Sequence, residues 1–570
     1  MAKQKMKKNI YLSLLILVFI LAFFLRFYKL GEVPDGLYQD ETAIGYNAYS
    51  ILETAKDEHN TPFPVYFKSF GDHKLPVYVY ATAASIKVFG LNAFAVRFPS
   101  ALFGSLSIVV LFFLLKEVSK SKELPLVTSF LLAINPWHLH FSRAAFEVNL
   151  ALFFALLGVF TFLRAVRTGK VVFYYVAIAG FVLSLYSYNV ARLISPLLFL
   201  SLVFLNFKTV KKIKKSTLVS LVLFGLVLCL PFIVSFMSRS GIASAKGALI
   251  TSADVEAKYM EFRSYVIGYP AIVSKLFFNR YVFMVWTYLS NVVSSLSPAF
   301  FFVSGTTQGN QGIGTVGAFY LFEFPLFLTG LFYSIKNKIK NLYFFLIWLV
   351  IAFLVLCLSK EVPHATRGYF LMIPMLVLSA YGSLILWKKS TTLLNKKLRN
   401  ILLAGLLLLA IFNVFYYFSS YYLRFPLFYA SNWRQSDEAL VNYIQDKDKE
   451  NEYDKIIIDN SAGFIYTSLL FYSQYDPALF QKNVVRHPDD SEGFSVVKSF
   501  GKYEFRSIDW IKDLNTEIKT LLITSEKNKP TDSGILKTFY YPSRPVVVAD
   551  KETLIGFPFS GVAFVLVESK

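Results

Sequence analysis

Charge is scarce in this chain. Only 17% of its 570 residues are Asp, Glu, Lys or Arg, where soluble proteins carry about 25%, so a water-soluble globule of this length is disfavoured. Cysteine is scarcer still. Cys229 and Cys357 are the only two, both inside apolar runs, so no disulfide framework is implied. Internal repeats and low-complexity tracts are absent. What is present is apolar: 55% of residues are hydrophobic and 18% aromatic. They gather into runs of roughly 20 residues, the length that crosses a bilayer. The first run does not read as a cleaved signal peptide, because it is too long and Arg26-Phe27-Tyr28 follows it in place of small residues.

The expected fold is an α-helical polytopic membrane protein with about eleven transmembrane helices. The spans are read at 10–28, 97–115, 124–141, 145–163, 171–188, 191–207, 217–236, 316–335, 341–358, 367–387 and 400–420. Alternation makes 2–9, 116–123, 164–170, 208–216, 336–340 and 388–399 the inside loops, and together they hold 23 Lys/Arg and two acids. The positive-inside rule then puts the N-terminus in the cytoplasm of a plasma-membrane protein. The 29–96 loop, the 237–315 loop, the 359–366 turn and everything after about 425 fall outside. An outward-facing site disfavours enzymes fed by cytosolic ATP or nucleotide-sugars.

The net charge of +21 does not mark a nucleic-acid partner. Residues 425–570 hold 17 Lys/Arg against 21 Asp/Glu, a net of −4, which leaves +25 on residues 1–424, mostly in the short inside loops. Two domains are therefore expected: a transmembrane part, 1–424, and a small extracytoplasmic α/β domain, 425–570. In the latter, Asp437–Gln445 has a helical pattern. Asp454–Asp459, Thr520–Thr524, Pro545–Ala549 and Val562–Val567 read as buried strands. In the first outside loop, residues 42–55 put Ile44, Ala48, Ile51, Leu52 and Ala55 on one face, and 76–90 is apolar but short and contains Lys87. Both read as interfacial helices; 271–303, rich in Phe, Tyr and Trp, looks similar.

The first loop also carries chemistry. Asp40-Glu41 and, farther on, His73-Lys74-Leu75-Pro76 place two carboxylates and an ammonium at the membrane surface. A carboxylate can take a proton from an acceptor hydroxyl, and a cation can offset charge growing on a leaving phosphate. Each residue also has a plainer reading. Asp40 precedes a helical pattern and would serve as an N-cap. Glu41 would point about 100° away from it, so the two need not share a role. Lys74 suits a snorkelling interface residue. His73 suits solvated surface or a metal ligand, although one His makes a weak metal site.

Other candidates sit at the outside ends of spans. Trp137 and His138 suit an interfacial aromatic belt, with His140 beside them. Arg143 and Glu147 are four apart, the spacing of a helical salt bridge, yet ionisable groups at membrane depth are functional candidates. Tyr188, Asn189 and Arg192 lie at the next outside turn, and His364, Arg367 and Tyr369 at the entrance to the tenth span. Arg143, Arg192 and Arg367, from three outside turns, are candidates to converge on one phosphate.

The order of these features resembles a known family. It runs from an N-terminal span through Asp40-Glu41 to Lys74-Leu75-Pro76, and then to Leu91-Asn-Ala-Phe-Ala-Val-Arg97-Phe-Pro99-Ser-Ala-Leu. Ser297-Pro-Ala-Phe-Phe-Phe-Val-Ser-Gly305, the Gly317–Gly330 stretch and His364-Ala-Thr-Arg367-Gly-Tyr369 continue it. Over about residues 10–420 this resembles the GT-C superfamily of glycosyltransferases. More narrowly, it is similar to the protein O-mannosyltransferases and the bacterial lipid A aminoarabinose transferases. The resemblance implies a sugar donor on a polyprenyl or dolichyl phosphate, a glycan, lipid or protein acceptor, and inversion at the anomeric carbon. Asp40 would be the base, with Glu41 its neighbour in acceptor or metal binding. Lys74 matches the lysine that contacts the lipid phosphate. In the aminoarabinose transferases an acid precedes that lysine and helps hold a metal. Here His73 stands there, which leaves a divalent ion (Mg, Mn or Zn) open, with His73 and Glu41 as its ligands. The Trp-Trp-Asp signature of oligosaccharyltransferases is absent, and the 237–315 loop is too short for the sugar-binding-like domain of the eukaryotic mannosyltransferases. The C-terminal α/β part resembles extensions of bacterial members.

Two rival readings remain. A lipid-carrier transporter or flippase would carry ionisable groups, broken helices or repeats at mid-membrane, whereas the acids here cluster in outside loops. A non-catalytic envelope assembly protein would work through 425–570 and leave Asp40 and Lys74 dispensable.

Overall fold

The structure is a computed structural model. It describes residues 2–569 apart from 70–72, 237–251, 266–267, 269, 338, 340–341, 394, 490–493, 530–533, 542–544, 548–553 and 557–560. The start of the expected 237–315 loop and the end of the expected Pro545–Ala549 strand lie outside the described residues.

A helix occupies each of the eleven stretches read as spans. Six are long and apolar enough to cross a membrane: Ile10–Phe27, Ala93–Val118, Glu147–Thr168, Lys215–Val234, Tyr369–Thr392 and Lys396–Phe428. The protein is a multi-pass membrane protein. Glu123–Ile134, Val172–Leu185, Ala191–Leu205 and Tyr343–Cys357 are apolar but shorter. The expected 124–141 span is in fact two helices, Glu123–Ile134 and Pro136–Ser142. Asn135 precedes a proline, which pushes it out of the helical region, and Pro136 opens a new helix where no N–H is needed.

The chain divides into two compact units, each assembled from separated segments. The first comprises residues 1–26, 102–142 and 146–417 and is helical among its described residues. Within it, Glu147–Thr168 has 72% of its apolar window buried and Lys215–Val234 only 6%, so the former is a core helix and the latter leaves its Leu and Val side chains exposed. Glu323–Lys336 and Met372–Leu393 pack backbone to backbone: a Cβ on Gly330 would stand 1.9 Å from the Leu378 carbonyl oxygen, and one on Gly382 1.9 Å from that of Leu326. Such contact between small residues is what lets membrane helices approach closely.

The second unit comprises 27–101, 143–145 and 418–570. Its seven-stranded sheet runs in the order Val485–Arg486, Val497–Phe500, Tyr503–Phe505, Lys455–Ile458, Thr520–Thr524, Val562–Glu568, Ile535–Tyr540. Lys455–Ile458 pairs in parallel with both neighbours, and the remaining pairs are antiparallel. The all-apolar Ile456-Ile457-Ile458 run suits a strand covered on both faces. Helix Asp437–Lys449 matches the expected one and extends it.

Helices Gln39–Thr54 and Pro76–Phe89 of the first loop fold into this same unit. The first is not a one-faced interfacial helix, because residues from Glu41 to Ile51 are buried around nearly the whole circumference. Tyr46, from the middle of that helix, joins the core that holds Leu440, Ile456, Leu469, Phe480 and Leu521. Its hydroxyl donates to the Tyr475 carbonyl, and Thr42 donates to Thr467 Oγ1.

Candidate active site

The site is built from the helix Gln39–Thr54 and a short hairpin, Phe67–Lys68 paired with His73–Lys74. Asp40 is not the helix N-cap. Tyr38 holds that position without a side-chain cap bond, and Asp40 lies in the first turn. Its carboxylate meets Lys74 Nζ at 3.0 Å, with the Asp side chain 31% exposed and the Lys side chain 10%. Lys74 therefore does not snorkel as an isolated cation. It is nearly buried and faces a partly open acid, and sequence spacing had already put both on one loop.

Glu41 has the opposite environment. It is fully buried, and Arg97 grips it twice, Nε to Oε1 at 3.0 Å and Nη2 to Oε2 at 2.9 Å. The Ala145 N–H adds a third bond at 2.8 Å. Arg97 also donates to the Leu30, Pro34 and Gly36 carbonyls and lies over the Trp433 ring. A Cβ on Gly36, at φ +84°, would stand 2.4 Å from the Trp433 carbonyl oxygen, so only glycine fits that approach. This bidentate geometry is the strong form of the carboxylate–guanidinium pair. It spends Glu41 on holding the loop.

The metal reading does not fit these residues. Both Glu41 oxygens are committed to Arg97, and His73, read as surface or ligand, is 2% exposed with its ring 4.8 Å from that of Phe494. Among the described residues no group of three or more His, Cys, Asp or Glu side chains is placed to hold an ion.

Arg143 is likewise built in. Its Nη2 donates to the Lys29 and Val33 carbonyls at 3.2 and 3.0 Å, its Nε to the Tyr421 hydroxyl, and its guanidinium covers the Tyr421 and Tyr422 rings. Residues 143–146 are not helical, so Arg143 and Glu147 are not a helical i,i+4 pair: Glu147 opens the next helix.

The other candidates belong to the helical unit. Trp137 and His138 are not an interfacial belt, since both are buried. Trp137 packs against Phe300, Phe319 and Tyr369, and His138 Nδ1 receives Arg26, which also donates to the Ala22, Leu132 and Ala133 carbonyls. His140 Nε2 lies 2.9 Å from the Asn310 carbonyl. Tyr369 is buried and donates to Asn149. Tyr188, Asn189 and Arg192 are half-buried, with Arg192 over the Phe232 ring. His364 is held by Thr366 and Gln311; burial and the neighbouring Arg367 push it down to about 3, so it is neutral at physiological pH. Arg367 Nη1 is buried with no hydrogen-bond partner among the described residues.

Three residues of weight escaped sequence reading. Arg97 was visible only as part of the Leu91–Leu102 stretch, and Arg26 only as the residue closing the first span. Glu58 gave no local signal, yet it is 1% exposed and exchanges two hydrogen bonds with Asn47, Asn47 Nδ2 to Oε1 at 3.0 Å and its own N–H to Asn47 Oδ1 at 3.1 Å. Beside it, burial raises the Asp57 carboxyl to about 6 and lowers the His59 imidazole to about 4.

A family profile described as dolichyl-phosphate-mannose-protein mannosyltransferase matches residues 72–234. That segment includes Lys74 and not Asp40. The solved structure of ArnT from Cupriavidus metallidurans, in its apo state, superposes with a TM-score of 0.51 at 13% identity, covering 99% of this chain and 98% of that one. The two chains share a fold over almost their whole lengths. The chain is also 26% identical over 175 residues to YkcB of Bacillus subtilis (strain 168), a mannosyltransferase by name, which is 30% of this chain and 23% of that protein. The archaeal oligosaccharyltransferase AglB from Archaeoglobus fulgidus aligns with a TM-score of 0.48 at 16% identity, over 82% of this chain and 64% of that one. The chain thus spans less than a quarter of YkcB and under two thirds of AglB.

Proposed function

We propose that this protein is a GT-C glycosyltransferase that moves a sugar from a polyprenyl-phosphate carrier to an acceptor hydroxyl on the extracytoplasmic face, with inversion at the anomeric carbon. The observation that carries this reading is the Asp40–Lys74 contact of 3.0 Å, with the acid partly open, beside an adjacent acid that is closed. The acceptor oxygen bonds to the anomeric carbon as the bond from that carbon to the phosphate oxygen breaks. Asp40 takes the acceptor proton. An ammonium has three donors, so Lys74 can keep Asp40 and still meet a phosphate oxygen as charge grows there. The leaving phosphate is already a stable anion and needs no strong acid.

Of the three arginines read as phosphate candidates, Arg367 has a buried donor with no hydrogen-bond partner among the described residues. Arg143 is dropped from the set because backbone carbonyls hold it. An inside N-terminus, the arrangement the Lys-rich loops favour, carries the first loop, with Asp40 and Lys74, to the outer face.

The test uses purified protein in detergent, with a panel of polyprenyl-phosphate sugars and wild type beside Asp40→Asn. Release or transfer of sugar from one donor, lost in the variant, supports the reading. Absence of turnover with every donor, together with donor-independent lipid movement in vesicles, would replace it with a flippase.

A further inference from the structure

Glu58 sits on the chain that joins the site helix to the site hairpin, and it is clasped from both sides. From the helix, Asn47 meets its carboxylate and its N–H. Asn47 is seven residues beyond Asp40, about 10 Å along the axis. From the C-terminal segment, Tyr466 donates to Oε2 at 3.4 Å, and Arg486 Nη2 reaches Oε2 at 3.5 Å and the Glu58 carbonyl at 3.0 Å. Arg486 is the cation paired with a carboxylate that is 1% exposed.

Neighbours of Arg486 hold the rest of the loop. Gln481 Nε2 lies within 3.0 Å of Ser50 Oγ, Thr54 Oγ1 and the Asp57 carbonyl. Asp489 meets Lys68 on one hairpin strand, and Phe494 packs on His73, the residue before Lys74. Gln481, Arg486, Asp489 and Phe494 therefore touch the helix that carries Asp40, the connection, and the hairpin that carries Lys74. The Lys68–Asp489 pair is largely exposed and adds little. The buried Arg486–Glu58 contact is different: removing one partner of a buried pair leaves an uncompensated charge that the surroundings must hydrate.

We propose that Arg486 is a positioning residue for the Asp40–Lys74 pair, acting through Glu58 and Asn47, and that residues 425–570 set the geometry of the reacting groups. This rests on the glycosyltransferase reading of that pair. Supporting residues of this kind are worth about 10–100-fold in activity, and a displacement near 1 Å can cost about 10²-fold.

The experiment compares full-length wild type, Arg486→Met, Arg486→Lys and the double variant Glu58→Gln/Arg486→Met, each shown folded by its melting curve. It measures kcat and KM for the donor and, separately, hydrogen exchange of the Gln39–Thr54 helix and the hairpin strands. The expected result is a fall in kcat of about 10–100-fold in Arg486→Met with KM within about twofold. Partial recovery is expected in Arg486→Lys and in the double variant, which has no buried charge to hydrate, along with faster exchange in both helix and hairpin. If Arg486→Met does not fold, the Lys and double variants carry the comparison. A folded Arg486→Met with unchanged kcat, or with exchange altered only around residue 486, overturns the proposal. Wild-type protein that transfers no sugar from any donor, while exchange rises in helix and hairpin of Arg486→Met, supports the linkage and removes the glycosyltransferase reading alone.

Discussion

Asp40 and Glu41 are consecutive, lie in the same helical turn, and each faces a cation, yet they live in different chemical worlds. The roughly 100° between neighbours on a helix sends one toward Lys74 and partial solvent and the other into a closed cage of Arg97 and the Ala145 N–H. A fully buried carboxylate that takes two bonds from a guanidinium and a third from a backbone N–H stabilises geometry and is closed to a substrate. A carboxylate with one contact to a primary ammonium keeps that capacity. An acidic pair is thus an ambiguous motif until the partner of each acid is known.

That contrast can be broken at either end. The largest effect is expected at Asp40: Asp40→Asn should lower kcat by about 10²–10⁴-fold, measured as transfer from the active donor, with the melting temperature close to wild type. Glu41→Gln should do the reverse. Leaving Arg97 buried without its counter-charge costs roughly 3–5 kcal/mol, read as a lower melting temperature and less folded protein, while the surviving fraction keeps its activity per molecule. Equal kcat losses in both variants would dissolve the distinction. Lys74→Met should come next, at about 10²–10³-fold in kcat, the scale of one lost donor to developing charge.

The smallest effect sharpens the picture of the loop beside the pair. Asp57 is raised to about 6 and His59 lowered to about 4. The folded state holds the Asp57 proton more tightly than the unfolded chain, so this carboxyl costs stability above pH 6 and ceases to do so as pH falls toward 4. His59 works the other way: its contribution is present above pH 6.5 and is lost as pH falls toward 4. The two oppose each other between pH 4 and 6.5. Relative to wild type, His59→Gln should lose less melting temperature between pH 7 and pH 4.5, and Asp57→Asn should lose more. Parallel curves for all three proteins would show that neither group is linked to folding.

The helices were legible because bilayer length and apolar runs are properties of single segments, and Asp40 and Lys74 were legible because they lie on one loop. Glu41's role was not, because Arg97 is 56 positions away and nothing local announces the pairing. The same holds for the aromatic cluster at Trp137. A Trp-His pair at a span end follows an interfacial pattern in sequence, and only packing against Phe300, Phe319 and Tyr369 reveals a core. The helix Gln39–Thr54 looked one-sided for a related reason: Thr467, against Thr42, and Gln481, against Ser50 and Thr54, lie more than 400 positions later.

That last fact has a consequence in time. Phe27–Ala101 and Phe418–Lys570 form one body, although roughly 300 residues of other structure lie between them in the chain. Closing so long a loop costs little extra free energy, since entropy grows only with the logarithm of length. It costs delay, however, because at about 5–20 residues per second the first loop waits on the order of 15–60 s for the segment that completes it. A chain stalled before residue 418 carries Asp40 and Lys74 but lacks the scaffold around them. The Asp40–Lys74 loop is synthesised long before the segment that frames it, so its surroundings are completed only once residues 418–570 have been made.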